Sequence, residues 1–319
     1  MPLTKMLAPS SSGEPALVEN DSSRANYIAR INRVVDHIDA HLSETLTLEA
    51  LAEVAHFSPF HFHRLFTALT GETLADCIRR RRLEKAAGAL IQDHKTPVLD
   101  TALNVGYSSA EVFSRNFRQH FGITPTAWRK GDWKIWATRQ KVKNFPCDEQ
   151  RGNTPEEIEK WLKKHDESFA IHHDMLKAHA MEVVLNRFPD KYVAYLRHVG
   201  PYYSPGVLAT WEKLDRWIRV QALDHPSRNR YAIPHDSPGI TPASRCRYDA
   251  CVAIDHEQKI SGEIGTQTIP GGLYACVQFR GKPDAISYSW QWMFAEWLPG
   301  SGYQYDARPC FERHPGNID

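Results

Sequence analysis

The sequence predicts a multidomain chain: an all-α domain with two helix-turn-helix units in front, and an α+β domain of two strand-helix-strand repeats behind. Three observations predict it. A short helix-corner-helix pattern occurs twice between Leu48 and Arg129. Near Met181 helical spacing gives way to alternating and aromatic residues. Within that second half another pattern is echoed. A length of 319 residues suits two domains with connecting segments.

The first copy of the front pattern is Ala52-Glu53-Val54-Ala55-His56-Phe57-Ser58, followed by Pro59-Phe60-His61-Phe62-His63-Arg64-Leu65-Phe66. The second is Ala102-Leu103-Asn104-Val105-Gly106-Tyr107-Ser108, followed by Ser109-Ala110-Glu111-Val112-Phe113-Ser114-Arg115-Asn116-Phe117. Each has a short apolar helix, a tight corner closed by an aromatic and a serine, and a second helix with one polar side. That is how a helix-turn-helix unit looks in sequence.

Taken in order, residues 1–25 are rich in Ser, Pro, Glu and Asn and are expected to form a disordered tail. Residues 26–130 form the double helix-turn-helix domain. It opens with an amphipathic helix from Asn26 to Leu42, carrying Ile28, Ile31, Val34, Val35, Ile38 and Leu42. Thr47 caps the next helix. Ser58 caps the second helix of the first unit, with Pro59 at its first position and Gly71 at its end. Thr73 to Gln92 is a long helix linking the units. Pro97 to Val105 and Ser109 to Phe121 make the second unit, and Thr124-Pro125 starts a short closing helix. Residues 131–180 are a partly helical interdomain segment, with a strong helix start at Thr154-Pro155-Glu156-Glu157. Residues 181–319 form the rear domain.

A net charge of +1 gives no global basic field, so nucleic-acid binding must come from local clustering. The six cysteines include no Cys-x-x-Cys and read as reduced thiols of a cytoplasmic protein. No apolar run reaches membrane-spanning length, and no membrane partner is expected. His165, His172, His173 and His179 lack companions at ligand spacing, so no metal or other cofactor is expected.

A recognition helix presents its amino-terminal part to base edges in the major groove. On the first such helix Phe60, His61, His63 and Arg64 are expected outward, with Phe62, Leu65 and Phe66 inward. Arg64 suits guanine O6 and N7, and Phe60 a thymine methyl. On the second, Ala110, Glu111, Ser114, Arg115 and Arg118 are expected outward, with Val112, Phe113, Phe117 and Phe121 inward. Arg115 is the expected base reader, Glu111 suits cytosine N4, and Arg118 suits phosphate. Arg79 to Arg82 on the linking helix read either as a solvated face or as a phosphate clamp. Successive grooves on one duplex face lie about 34 Å apart.

In the rear half, Tyr192 to Pro201 leads to a helix with Trp211, Leu214 and Trp217. Leu273 to Gly281 leads to one with Trp290, Trp292, Phe294 and Trp297. Arg230 to Pro234 and Arg247 to Ile254 read as a hairpin, and Arg308 to His314 as a late strand. The seam between two such units is where a small-molecule pocket forms. Glu312 is the best acid for it, with Tyr195, Trp290, Trp297 and Phe311 as aromatic lining and Glu296 as second choice. Such a site suits a flat cationic aromatic effector. No Gly-x-Ser-x-Gly, His-Glu-x-x-His or Walker loop occurs, and the chain is not expected to be an enzyme.

Ile31 to Lys130 resembles the AraC/XylS-type DNA-binding domain of bacterial transcription regulators. The resemblance rests on Ala52…Ala55…Phe57-Ser58, Arg64-Leu65-Phe66, Ala102…Val105-Gly106-Tyr107, and Phe113-Ser114-Arg115-Asn116-Phe117…Phe121-Gly122-Ile123-Thr124-Pro125. It implies seven helices and sequence-specific binding of double-stranded promoter DNA, with RNA polymerase as a further partner. Met181 to the end resembles the GyrI-like effector-binding domain, through Val199-Gly200-Pro201, the Trp211…Trp217 helix and Arg308-Pro309-Cys310-Phe311-Glu312. That resemblance implies a buried glutamate meeting cationic or aromatic ligands, a role carried onto Glu312. Some relatives of that kind hydrolyse small reactive compounds, so a hydrolase is the alternative reading, beside a purely structural rear domain. The family carries a further strand after its Phe-Glu segment, beyond the residues present here.

Overall fold

The structure is a computed structural model. It describes residues 17–143, 182–202, 204–223, 229–255, 262–280, 286–306 and 308–314, together with Lys160, Lys163, Gln258 and Ile260. Helix α1 (Leu17–Ala40) starts before the expected boundary at residue 25, which therefore falls inside it. Nothing after Pro15 breaks the chain, and extending a helix already nucleated downstream costs little. The expected helix start at Thr154 and the four histidines lie outside the described residues.

The front domain continues with α2 (Leu48–Val54), α3 (Pro59–Thr70), α4 (Leu74–Gln92), α5 (Val98–Asn104), α6 (Ala110–Phe121) and α7 (Pro125–Ala127). A π turn then joins α8 (Trp133–Lys143). Two apolar clusters hold it together, and α4 belongs to both. Leu74 and Cys77 join Ile31, Val34, Ile38, Leu42, Leu51, Phe62 and Phe66. One and a half turns later, Leu83, Ala86, Ala87 and Leu90 join Ala102, Val105, Phe113, Phe117, Phe121 and Trp128. The small residues of α4 let the second unit approach closely, and Trp128 donates its indole N–H to the Ala87 carbonyl at 3.0 Å.

The corner of the second unit is fixed by glycine. Gly106 has φ +83, and a Cβ there would collide with the Leu42 carbonyl and the Arg82 guanidinium. Arg82 holds that position by donating to Leu42 O at 2.9 Å and Glu44 O at 2.8 Å. Gly106→Ala is therefore expected to cost about 1–3 kcal/mol from backbone strain, with the collision added. A urea unfolding midpoint unchanged from wild type would contradict this.

The rear domain comprises β1 (Val183–Phe188), β2 (Lys191–Val199), α9 (Pro205–Val220), β3 (Arg230–Pro234), β4 (Arg247–Ala253), β5 (Gly265–Ile269), β6 (Gly272–Val277), α10 (Ile286–Trp292), α11 (Leu298–Ser301) and β7 (Glu312–His314). A π turn, Met293–Trp297, interrupts the run from α10 to α11. Five strands pair antiparallel in the order β5-β2-β4-β3-β7, and β1 pairs with β6. The two strand-helix-strand units thus do not lie in one sheet: the leading strand of the second, β6, pairs with β1. The expected hairpin is present as the β3–β4 pair.

Strand pleating sorts the five-stranded sheet into two faces. Ala194, Leu196, Ala250 and Val252 meet Leu214 and Ile218 of α9. Val193, Tyr195, Tyr231, Ile233, Cys251 and Ile269 occupy the other face. The front domain docks against that second face. Its main guest is the β3–β4 connection, whose Ile240 packs into the cluster of the second helix-turn-helix unit. Trp136 of α8 donates to the Ile240 carbonyl at 2.9 Å. Among the described residues no helix is long and apolar enough to cross a membrane.

Candidate nucleic-acid interface and effector site

The second helices of the two units, α3 and α6, are built alike. Ser58 and Ser109 are N-caps in extended backbone, and their hydroxyls accept from His61 N and Val112 N. Gly71 and Gly122 end the helices at φ +70 and +72, as a left-handed cap requires. Thr73 and Thr124 cap the next helices, α4 and α7. Ser109, Arg115, Gly122 and Thr124 repeat Ser58, Arg64, Gly71 and Thr73 at a constant offset of 51 residues. Arg64 and Arg115 therefore stand at the same position of equivalent helices.

On α3 the expected outward residues Phe60, His61, His63 and Arg64 are all exposed, while Phe62 and Phe66 are buried. Phe60 is 75% exposed, a large apolar ring with the Arg64 guanidinium over it at 5.8 Å. His61 stacks on Phe57 at 5.5 Å. On α6 Glu111, Arg115 and Arg118 are exposed, and Ala110 and Ser114 are half-buried. Phe113, Phe117 and Phe121 form the inner side. Val112 departs from expectation: it is exposed, on the same side as the polar residues. It directly precedes Phe113, and one helical step of about 100° turns it off the buried stripe.

Of the four arginines of α4, Arg79 alone fits the reading of a solvated face, and the other three fit neither expectation. Arg79 is exposed and pairs with Asp76 at 2.5 Å. Arg80 is occupied by Glu72 and Glu84, at 2.6 and 3.0 Å. Arg81 is fully committed within the protein, and Arg82 holds the Leu42 and Glu44 carbonyls. Three of the four are thus structural, which leaves α4 as a spacer about 28 Å long at 1.5 Å per residue.

Arg81 opens a buried ring of four charges across the domain interface. It donates to both oxygens of Asp39 on α1, at 2.7 and 2.9 Å. Arg247 of β4 meets Asp39 at 2.6 Å and both oxygens of Asp236, at 2.9 and 3.0 Å. Arg81 closes the ring on Asp236 at 2.5 Å. Each domain supplies one aspartate and one arginine. Burial works to raise the pKa of Asp39 and of Asp236; the Arg247 and Arg81 guanidiniums more than reverse it and hold both below the carboxylate range. A second cluster lies beside it. Asp36 of α1 accepts from the Tyr195 hydroxyl at 2.9 Å and faces Arg197 at 2.7 Å, and Arg197 grips Asp249 through two bonds. Sequence reasoning missed this interface. Its one signal was two aspartates, Asp36 and Asp39, flanking Ile38 on an apolar helix face.

The effector residues divide between the faces of the sheet. Glu312 pairs with Ala232 and shares its face, under the helices. Trp290 of α10 donates its indole N–H to Glu312 at 3.0 Å, and His314 stands 3.6 Å from the other oxygen. Trp211 of α9 donates to the Tyr248 hydroxyl at 3.1 Å and meets His314 edge-on. Burial, and then the Glu312 charge, push the Tyr248 phenol well up. Trp290 and Glu312 are thus together. Tyr195 and Phe311 are not with them: Tyr195 is buried on the opposite face, bound to Asp36, and Phe311 packs there against Tyr274 and Tyr231, at 5.1 and 5.7 Å. The period of two that places Glu312 inward sends its neighbour Phe311 to the other side. Trp297 stacks on Tyr303 at 6.3 Å, and Glu296 is exposed. Tyr248 and His314 are the residues that the sequence did not single out.

Comparison with known proteins fits this division. Residues 51–131 match a helix-turn-helix domain family, and residues 181–317 match the GyrI-like small molecule binding domain. Over 99 residues, 31% of the chain, it is 36% identical to the regulatory protein SoxS of Escherichia coli and covers 92% of it. It is 38% identical over 104 residues to the uncharacterized HTH-type transcriptional regulator YbfP of Bacillus subtilis, and spans only 35% of that protein's length. The DNA-binding domain of AdpA, solved with a target DNA, is similar at 27% identity and a TM-score of 0.31, over 33% of this chain and 95% of that one. The two caps, two glycines and two equivalent arginines, with the matches around them, place the chain in the AraC-type helix-turn-helix family of DNA-binding transcription regulators, with a GyrI-like small-molecule-binding domain behind.

Proposed function

We propose that this chain is a one-subunit promoter reader whose rear domain senses a small aromatic cation. The observation that carries the reading is the equivalent, outward placement of Arg64 and Arg115 on two identically capped helices. With α4 as spacer, α3 and α6 enter successive major grooves from one face of the duplex. Phe60, His61, His63 and Arg64 read one groove; Ala110, Glu111, Ser114 and Arg115 read the next, and Arg118 takes a phosphate. The protein acts in the cytoplasm, where promoter DNA and RNA polymerase are found, and its rear domain binds its ligand without transforming it.

The effector enters between α10 and the sheet. There it takes the place of the Trp290 indole on Glu312, with Trp211, Tyr248 and His314 around it. The route to DNA runs along the backbone. β7 pairs with β3, β3 runs into the connection that carries Asp236 and Ile240, and those residues touch α4 and the second unit's core. Two experiments test this. Selection of bound fragments from a random DNA pool should return two half-sites about one helical turn apart. Titration with benzamidine, whose N–H groups can take the place of the Trp290 donor, should show binding at least about tenfold weaker in Glu312→Gln, since a hydrogen bond to a charged group is worth about 1.5–3 kcal/mol. Equal binding by the two proteins removes the acid from the site.

A further inference from the structure

The face of the sheet opposite Glu312 carries a cavity of its own. It measures about 210 Å³ and is lined by Phe188, Lys191, Asn229, Tyr231, Ile269 and Phe311, with Arg313 at its mouth. Strand register explains the assembly. Lys191 pairs with Ile269, and Arg313 pairs with Tyr231. Alternation along β2, β3, β5 and β7 therefore puts Lys191, Tyr231, Ile269 and Arg313 on one side, where Phe188 of β1 adds a wall from the two-stranded sheet, while Glu312 and His314 point through to the other. The walls are aromatic and apolar. Tyr231 and Ile269 are buried, and Phe311 is held edge-on by Tyr231 and Tyr274.

The charge at this cavity has the opposite sign from that at Glu312. No carboxylate lines it. Among the described residues, neither Lys191 nor Arg313 has an acidic partner. The nearby Asp190 accepts from Gly271 N. Two unpaired cations at the rim of a low-dielectric aromatic pocket attract an anion more strongly than they would in open water. A guanidinium and an ammonium together suit a carboxylate, and ring edges and faces suit an aryl group.

We propose that this cavity is a second ligand site, which takes a single-ring aryl carboxylate: the ring lies against the wall formed by Tyr231 and Phe311, and the carboxylate meets Lys191 and Arg313. The volume suits one substituted ring rather than a polycyclic ligand. The site lies beyond the cation reading and stands or falls separately from it, because no lining residue is shared.

The test compares three ligands of one shape and three charges: benzoate, benzamide and benzamidine. Binding is followed by calorimetry on the wild type and, in parallel, on Glu312→Gln, which removes the acid of the other face. Benzoate is expected to bind both proteins equally. On Glu312→Gln, benzamide and benzamidine are expected to bind at least about tenfold more weakly than benzoate. The double variant Lys191→Glu/Arg313→Glu should lose benzoate by at least the same factor. Asn229→Asp sets a carboxylate on the wall with almost no change of shape. It should weaken benzoate in the same direction, so the test survives if the double variant does not fold. Absence of benzoate binding overturns the proposal. So does benzamide binding as tightly as benzoate, or loss of benzoate binding in Glu312→Gln alone.

Discussion

Arg81→Ala is expected to lower stability by about 3–5 kcal/mol, the range for removing one partner from a buried ion pair. The guanidinium holds Asp39, Glu84 and Asp236 at once, at 2.7, 2.9 and 2.5 Å, with only 11% of its side chain exposed. Its loss leaves Asp39 and Asp236 to share Arg247 alone and Glu84 with Arg80 alone, so three buried carboxylates each lose a partner, one of them across the domain interface. The front and rear domains should then separate as well as soften, which solution scattering reads as a larger radius of gyration. An unchanged unfolding free energy together with an unchanged radius would show that the ring of charges carries nothing. The same ring sets a response to acid. The folded-state pKa values of Asp39 and Asp236 lie below the unfolded value of about 3.9. Their stabilisation is therefore fully present above that value and is lost as pH falls towards the folded values. Between pH 5 and neutrality the contribution of Asp39 and Asp236 should not vary, and in Asp236→Asn the part lost in acid should shrink.

Arg115→Ala and Arg64→Ala should each cost about 1–3 kcal/mol of binding to a selected operator, and each should relax specificity in one half-site only. The halves are separable because the two helices sit on separate apolar clusters joined through α4. Arg118→Ala should behave differently. It should weaken all sequences alike and reduce the slope of log affinity against log salt by about one. Mobility-shift titrations on the operator and on a scrambled duplex, at several salt concentrations, distinguish these patterns. If Arg64→Ala and Arg115→Ala leave both affinity and half-site preference unchanged, the two helices do not read DNA in the way proposed.

The front domain was almost wholly legible in the sequence, and the reason is local. Caps, glycine stops and the 3.6-residue stripe act within one turn or one helix, so Ser58, Gly71, Ser109 and Gly122 announced their elements directly. The exposed residues of α3 and α6 emerge from the same stripe, because positions off the buried face of Phe62, Phe66, Phe113 and Phe117 turn outward. Val112 shows the grain of that inference: a hydrophobic residue beside the stripe reads as part of it. The rear domain was less legible because its site depends on pairing between distant strands. Alternation sends the neighbours Glu312 and Phe311 to opposite sides, and only the register of β7 on β3 shows that Glu312 is the one under the helices. The arginines of α4 misled for a related reason. A charged run looks solvated or DNA-facing until its partners appear, and Asp236 and Arg81 are 155 positions apart.

Ile240 has a consequence for the order in which the protein matures. The first helix-turn-helix unit closes its apolar cluster from residues of α1 to α4 alone. The cluster of the second unit includes Ile240, and 104 residues separate that residue from Trp136, which donates to its carbonyl. As the chain leaves the ribosome, the apolar cluster of the first unit is therefore complete early. The second unit gains its final packing only after β3 has emerged and its connection has been laid against α4 and α8. Synthesis itself thus makes the two apolar clusters unequal: that of the first unit closes with its own segment, and that of the second is completed by Ile240 of the rear domain.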